Sequence, residues 1–491
     1  MRKILKIVSV SAETAPFAKA GGQADVARSL PKAMRRLGHQ VIAIMPLHGV
    51  IDTAQYGLKK IADEVPIQID DKNTRMASFW RGELMRGLPI FFVDNPEYFG
   101  RYKFIYGSKN DNRRFMFFSL AALKLLTLID FQPDVIHCHE WHTGLIPYYL
   151  KKRLHDNKFY EDTATLFTIH NLSFQMGQDW WTVPPEKKDY GHSRLPDFSD
   201  KEAITCINFA KRAILYADVI NTVSEQYAQE ILTQEYGQDL HRILLNRKNR
   251  VFGIINGIDY FDFNPSTDPG LVKNYDFNSL HRKEKNKLFL QKEFGLPQNA
   301  EIPLIGMVSR ITEQKGFDLI MEILEPLMRQ DVQLVIVGGG EKKYEKYFRR
   351  SAKRFPNKIG VHLEFDVTRA SQIYAGSDMF LMPSRFEPCG LGQLISLRYG
   401  SVPIVNAVGG LVDTITDFNP KTRKGNGFIF KRYDSRDLLI ALTRAIVNYK
   451  YSDYWRDLVV HGMQQSYSWE IPAKKYIKLC RLALRYAKVK V

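Results

Sequence analysis

The chain has 491 residues, 45% hydrophobic and 25% charged, and its 70 Lys and Arg against 53 Asp and Glu leave a formal net charge of +17. This is the composition of an ordinary globular protein of two or three domains, and it contains no apolar run of about 18 residues, so no membrane span is expected. A basic balance suits nucleic acid, an acidic membrane surface or a phosphorylated small molecule. No nucleic-acid module or arginine-rich tail is present, however, so most of the charge reads as solvated surface.

The N-terminal Met-Arg-Lys-Ile-Leu-Lys start is too short in its apolar part for a secretion signal and reads as a first buried strand, Ile4 to Val10. A loop, Pro16-Phe-Ala-Lys-Ala-Gly-Gly-Gln, leads to a helix over about 24–37, closed by Gly38, and to a strand at Val41 to Met45. This is a βαβ unit, but its loop is neither Gly-x-Gly-x-x-Gly nor a P-loop. Residues 60–95 read as alternating strands, followed by an aromatic-rich helix from Arg113 to Leu128. Asp134-Val-Ile-His-Cys-His139, Thr165 to His170-Asn171, Asp218 to Ser224 and Val251 to Asp259 are further strands whose polar residues gather at the carboxyl end. Open α/β sheets bind ligands at that end.

From Asp259 to Leu296 the chain turns polar and Lys/Asn-rich, and a second α/β series follows. The expected division is a first Rossmann-like domain over 1–262, a linker over 263–298, a second Rossmann-like domain over 299–470, and a basic amphipathic C-terminal helix over 471–491 that returns to the first domain. Pro303 to Ser309, Val332 to Val337, Val361 to Phe365, Met379 to Met382 and Val402 to Val405 are its strands. Two doubly wound domains with a cleft between them are the expected geometry. The four scattered cysteines, Cys138, Cys206, Cys389 and Cys480, lack a Cys-x-x-Cys spacing, which argues against a disulfide framework or a zinc site and for a reducing cytoplasm.

The stretch Pro383-Ser-Arg-Phe-Glu-Pro-Cys-Gly-Leu carries the most chemistry. A strand, a tight loop with one carboxylate, Glu387, and a helix start form a ready anion site. Arg310 and Lys315 open the first helix of the second domain and suit a pyrophosphate. His137, His139, Glu140 and His142 cluster after one strand; they read either as a polar ligand rim or as a metal site, although the spacing is not His-Glu-x-x-His. Together these groups point to transfer of a group from a diphosphate donor, with charge on the leaving phosphate stabilised by cations.

Six segments in order, Lys19-Ala-Gly-Gly-Gln-Ala-Asp-Val-Ala, His139-Glu-Trp-His-Thr-Gly-Leu, Thr168-Ile-His-Asn-Leu, Asn256-Gly-Ile-Asp, Ser309-Arg-Ile-Thr-Glu-Gln-Lys-Gly and the Glu387 loop, resemble the bacterial glycogen and plant starch synthases over nearly the whole chain. The resemblance implies a GT-B fold, two Rossmann-like doubly wound domains facing each other across a deep cleft. It also implies a metal-free, cofactor-free retaining glycosyltransferase, with ADP-glucose as the usual donor, the non-reducing end of an α-1,4-glucan as acceptor, and no nucleic-acid partner. By the same resemblance His170, Arg310, Lys315 and Glu387 are the catalytic group. Lys19, Gly22, Asp25, Asn256, Phe365, Cys389, Gly390 and Leu391 bind the donor, and Glu140, Trp141 and His142 lie on the acceptor side. Ala20 and Gln23 depart from the family's Thr and Leu, Glu140 replaces Asp, the usual Arg before the final Gly-Gly falls near Asn406, and Gln238-Asp239 replace a glycine-containing turn; at Ile395 the wider retaining GT-B superfamily has a second Glu, from which the bacterial synthases also depart. A related transferase using UDP-glucose and another acceptor, or a catalytically silent glucan-binding homologue, are the alternatives. Oligomeric state is not legible.

Overall fold

A computed structural model describes residues 3–364 and 366–488. It forms two compact units, one comprising Met1–Asn256 and Trp469–Val491, the other Gly257–Ser468.

The first unit is built on nine strands: β1 Lys6–Val10, β2 Gln40–Pro46, β3 Lys59–Gln68, β4 Thr74–Met85, β5 Leu88–Asp94, β6 Val135–His139, β7 Ala164–Ile169, β8 Val219–Thr222 and β9 Val251–Gly253. Their order in the sheet is β3-β4-β5-β2-β1-β6-β7-β8-β9. β3, β4 and β5 form an antiparallel meander, and every other pairing is parallel. β1, β2, β6 and β7 are buried along almost their whole length, as parallel strands covered on both faces must be. The helix Asp111–Leu128 is buried on nearly every face and carries Arg114 into the core. That guanidinium is satisfied by Asp111 at 2.6 Å and by the carbonyls of Tyr98 and Ile105 at 2.6 and 3.0 Å, so the charge is not stranded.

The second unit has six parallel strands, β10 Leu304–Val308, β11 Gln333–Val337, β12 Ile359–His362, β13 Met379–Met382, β14 Val402–Asn406 and β15 Phe428–Phe430, in the order β12-β11-β10-β13-β14-β15. Strand order reverses between β10 and β13, and the crevice beyond their carboxyl ends is the place where such a sheet binds a ligand. In the first unit the corresponding reversal lies between β1 and β6.

The polar stretch 263–298, expected as a linker, is folded into the second unit, whose boundary falls after Asn256. Tyr275 and Leu290 are buried there, and the helix Lys283–Glu293 packs on Val367–Gly376. Its lysines look like solvated charge in sequence but hold buried acceptors: Lys287 Nζ reaches Asp378 at 2.7 Å and the Ala300 carbonyl at 2.6 Å, and Lys283 Nζ reaches the Ala375 carbonyl at 2.6 Å. The C-terminal helix runs over Glu470–Lys488 and belongs to the first unit. Its Ala473, Tyr476, Ile477 and Cys480 complete a core with Leu5, Ile7, Val26 and Val41. Among the described residues no helix is long and apolar enough to cross a membrane.

Candidate active site

In the second unit the site grows from the two strands at the reversal. β10 ends at Val308, and Arg310 follows as an exposed side chain with no acidic partner among the described residues. A short 3-10 turn, Glu313–Lys315, then hands over to the helix Phe317–Met328 through Gly316. Gly316 has φ +77°, and a Cβ there would lie 2.1 Å from the Pro383 carbonyl oxygen. Only glycine admits both the backbone angle and the approach. That approach brings the loops after β10 and β13 together: the Arg385 N–H donates to the Gln314 carbonyl at 2.9 Å, and Lys315 Nζ lies 2.5 Å from Glu387 Oε2.

The Glu387 carboxylate also accepts from Ser384 Oγ at 3.0 Å. Its own carbonyl accepts from the Gly410 N–H at 3.1 Å, and a Cβ on Gly409 (φ +44°) would sit 2.0 Å from that same carbonyl oxygen. The loop is therefore clasped from below by the first residues of the helix Gly409–Thr414. Asn406 is buried and donates to the Ser384 carbonyl at 2.9 Å, so it braces the loop. Cys389 is buried, and its carbonyl is held by Gln393 Nε2 at 2.9 Å. Gly390 has φ +71°, and the N–H groups of Gly390 and Leu391 precede the helix Gly392–Arg398 without a protein acceptor among the described residues. Phe365 lies outside the described residues.

In the first unit, the loop after β1 folds around Glu13, a residue the sequence reading passed over. Its Oε2 accepts from the N–H groups of Ala20 and Gly21. Burial pushes this carboxyl up to about 7. Lys19 pairs with Asp25, in the first turn of the helix Gln23–Arg36, at 2.8 Å, and Gly22 is that helix's N-cap. Asn256 is buried, and its Oδ1 has no hydrogen-bond partner among the described residues.

β6 and β7 deliver the other group. Glu140 directly follows β6 with φ +64°, a left-handed angle that a residue with a side chain adopts only under constraint. The constraint is visible: the Glu140 N–H donates to the Thr168 carbonyl at 2.9 Å, and Oε1 accepts from the N–H groups of His170 at 2.5 Å and Asn171 at 2.7 Å. Burial pushes Glu140 up to about 8 and His170 down to about 3. Asp at this position is one methylene shorter, and Glu140 uses the added reach to grip the end of β7.

Trp141 and His142, expected on the acceptor side, turn inward after the Glu140 kink and are only 4% exposed each. They stack on each other at 4.0 Å, and both lie against Phe115. Their rings build the floor under Glu140 and offer no face to solvent. Gln238 and Asp239, which follow Gly237, have φ of +48° and +66°, two consecutive left-handed residues that carry side chains. Among the described residues no cluster of three His, Cys, Asp or Glu could hold a metal; His139 and Glu140 are engaged in hydrogen bonds, whereas neither ring nitrogen of the buried His142 has a partner among those residues.

Two tandem Rossmann-like units, each with its polar residues beyond the carboxyl ends of parallel strands and the second pairing a lysine with a loop carboxylate, have the architecture of a GT-B glycosyltransferase. Residues 6–246 match the starch synthase catalytic domain model, and residues 290–457 match that of glycosyl transferases group 1. A glycogen synthase of Moorella thermoacetica is 43% identical over 499 residues, covering 99% of this chain and 98% of its own. One from Thermotoga maritima is 40% identical, covering 98% and 99%. The catalytic domain of starch synthase IV from Arabidopsis thaliana, solved with ADP and acarbose, superposes with a TM-score of 0.86 at 33% identity, covering 98% of this chain and all (100%) of that one. The chain belongs to the bacterial glycogen synthase and plant starch synthase family.

Proposed function

We propose that this chain extends α-1,4-glucans, transferring glucose from ADP-glucose to the non-reducing end with retention of configuration, in the cytoplasm. The observation that carries the chemistry is the Lys315–Glu387 pair at the strand-order reversal of the second sheet, with Arg310, which has no acidic partner among the described residues, five positions before Lys315. Arg310 and Lys315 neutralise the donor diphosphate, and the Gly390 and Leu391 N–H groups donate hydrogen bonds to its oxygens. Donor binding draws Lys315 toward phosphate and releases Glu387 to hold glucose hydroxyls. Lys19 and Gly22 serve the phosphates as well, and Asp25, now paired with Lys19, lies next to them. Glu140 holds His170 and Asn171, and His170 contacts the transferred glucose.

In the reaction the acceptor 4-hydroxyl attacks C1 from the face on which the diphosphate leaves. The C1–O bond to phosphate breaks, the new glycosidic bond forms, and the hydroxyl proton passes to the departing phosphate oxygen. The products are ADP and a glucan longer by one residue. Cations fixed before the reaction stabilise charge that grows on the leaving phosphate, the largest single contribution available to such a step. No carboxylate pair of the kind hydrolases use is required. The plant relative binds ADP, which favours ADP-glucose over UDP-glucose. The test is chain extension of glycogen by purified protein with each sugar nucleotide. Incorporation from ADP-glucose is expected; incorporation from UDP-glucose alone would transfer the proposal to that donor, and none from either would end it.

A further inference from the structure

A hydrogen-bonded file of three side chains runs across three neighbouring strands of the first sheet. Ser9 Oγ on β1 lies 3.2 Å from His139 Nε2 on β6, and His139 Nδ1 lies 3.0 Å from His170 Nε2 at the end of β7. The two imidazoles are nearly parallel, with 29° between their planes. Ser9 and His139 are buried, whereas His170 is half-buried.

The direction of the protons follows from counting partners. Among the described residues Ser9 Oγ has one hydrogen-bond partner, His139 Nε2. A buried hydroxyl that leaves its proton unused loses more than one that leaves a lone pair unused, so Ser9 donates. His139 Nε2 is then an acceptor. Burial keeps both rings neutral, so the single proton of His139 sits on Nδ1 and is donated to His170 Nε2. His170 in turn carries its proton on Nδ1, the nitrogen that no group engages among the described residues. Its backbone is fixed independently, by the Glu140 carboxylate.

We propose that Ser9 and His139 are positioning residues that hold His170 as its Nδ1–H tautomer, so that His170 meets the substrate as a hydrogen-bond donor to a sugar or phosphate oxygen. The substrate half of this inference rests on the synthase reading; the tautomer half does not. The wrong tautomer would present a lone pair to an oxygen lone pair, and free imidazole has no reason to choose the right one. His137 stands next to the file, its ring 4.0 Å from that of His139, but it bonds Thr168 Oγ1 at 2.7 Å and leaves the relay undisturbed.

The test is nitrogen-15 NMR of protein labelled at histidine, without substrate, with the His170 signals assigned by their loss in His170→Gln. A protonated Nδ1 and a bare Nε2 are expected in the wild type. Ser9→Ala and His139→Ala should move His170 toward the Nε2–H form and lower kcat about tenfold to a hundredfold. His139→Asn places an amide donor near the lost Nδ1 and should restore both the tautomer and the larger part of kcat. A wild-type His170 protonated on Nε2 overturns the proposal even if no His139 variant folds, and so does a loss of kcat in Ser9→Ala with the His170 tautomer unchanged. Protein inactive with every sugar nucleotide, yet carrying His170 as Nδ1–H, would refute the synthase reading and leave the relay standing.

Discussion

Lys315 Nζ and Glu387 Oε2 are 2.5 Å apart, although 72 residues separate them in the chain. The pair closes two loops on each other, and in doing so it covers the two charges that the proposed reaction needs.

The first prediction separates these two roles. Lys315→Ala leaves Glu387 with Ser384 as its only side-chain partner among the described residues and should lower turnover about 10²-fold, with a stability loss of about 1–3 kcal/mol. Adding Glu387→Gln should restore most of that stability, because the stranded charge is gone, without restoring turnover. Chemical denaturation and initial rates on the two single variants and the double variant measure both. Turnover unchanged in Lys315→Ala would remove this residue from the site.

Arg310 is exposed and lacks an acidic partner among the described residues, so its charge is available to a ligand. Arg310→Gln should raise the donor KM at low salt by about tenfold, and the difference from wild type should shrink as ionic strength rises. Arg310→Lys should recover only part, since an ammonium lacks the forked geometry that matches phosphate. A salt dependence identical in all three proteins would rule out contact with the diphosphate.

Gly409 is a structural requirement of the Glu387 loop. Its φ of +44° and the 2.0 Å that a Cβ would leave to the Glu387 carbonyl oxygen both exclude a side chain. Gly409→Ala should displace Glu387, lowering kcat by tenfold or more and the melting temperature by about 4 °C or more. Normal kinetics in this variant would show that the loop tolerates displacement.

Two sets of buried groups give stability an opposed dependence on pH. Burial holds Glu13 up to about 7 and Glu140 up to about 8, from an ordinary value of 4.5. Between those values the folded chain binds protons that the unfolded chain has released, so these carboxyls contribute stability that is lost as pH rises. Burial holds His48, His137 and His170 down to about 3 and lowers His139 and His142 strongly, all from 6.5. Below 6.5 the unfolded chain takes up protons that these rings refuse, so stability is lost as pH falls. In the overlapping window five imidazoles outweigh two carboxyls. The melting temperature should climb from about pH 5 to about 6.5; from there to about 8 the two carboxyls lower stability as pH rises while Lys283, which burial lowers from 10.5 to about 7, raises it, so the effects largely offset and Glu140→Gln should rise more steeply than the wild type. Identical pH profiles for the wild type and Glu140→Gln above about pH 6.5 would mean that Glu140 is ionised in the fold.

The sequence made the strands and their ends legible, because parallel strands read as apolar runs and their polar residues fall immediately after them. Arg310, Lys315, Glu387 and His170 follow such apolar runs in the sequence and stand beyond β10, β13 and β7 in the fold. Glu13 was not legible, since its partners are the backbone N–H groups of Ala20 and Gly21, and no residue type announces such a bond. Ser9 was invisible for a related reason: a small polar residue in a buried strand gains meaning only when strand order places it beside His139. The inward turn of Trp141 and His142 depends on the left-handed angle at Glu140, which a residue other than glycine does not advertise. The lysines of the segment 263–298 misled for the opposite reason, as composition says nothing about whether an ammonium meets water or a buried carbonyl.

The C-terminal helix has one more consequence. The core that holds Leu5, Ile7 and Val26 is completed by Tyr476 and Cys480, and Tyr476 bonds Asn221 at 2.9 Å. On the ribosome, the first unit therefore emerges early but waits, with part of its apolar surface open, until the whole of the second unit has been made. Order of synthesis and order of completion are reversed. The first half of the chain is the part most dependent on chaperones during translation, and the part that a premature stop near residue 469 would leave unable to close.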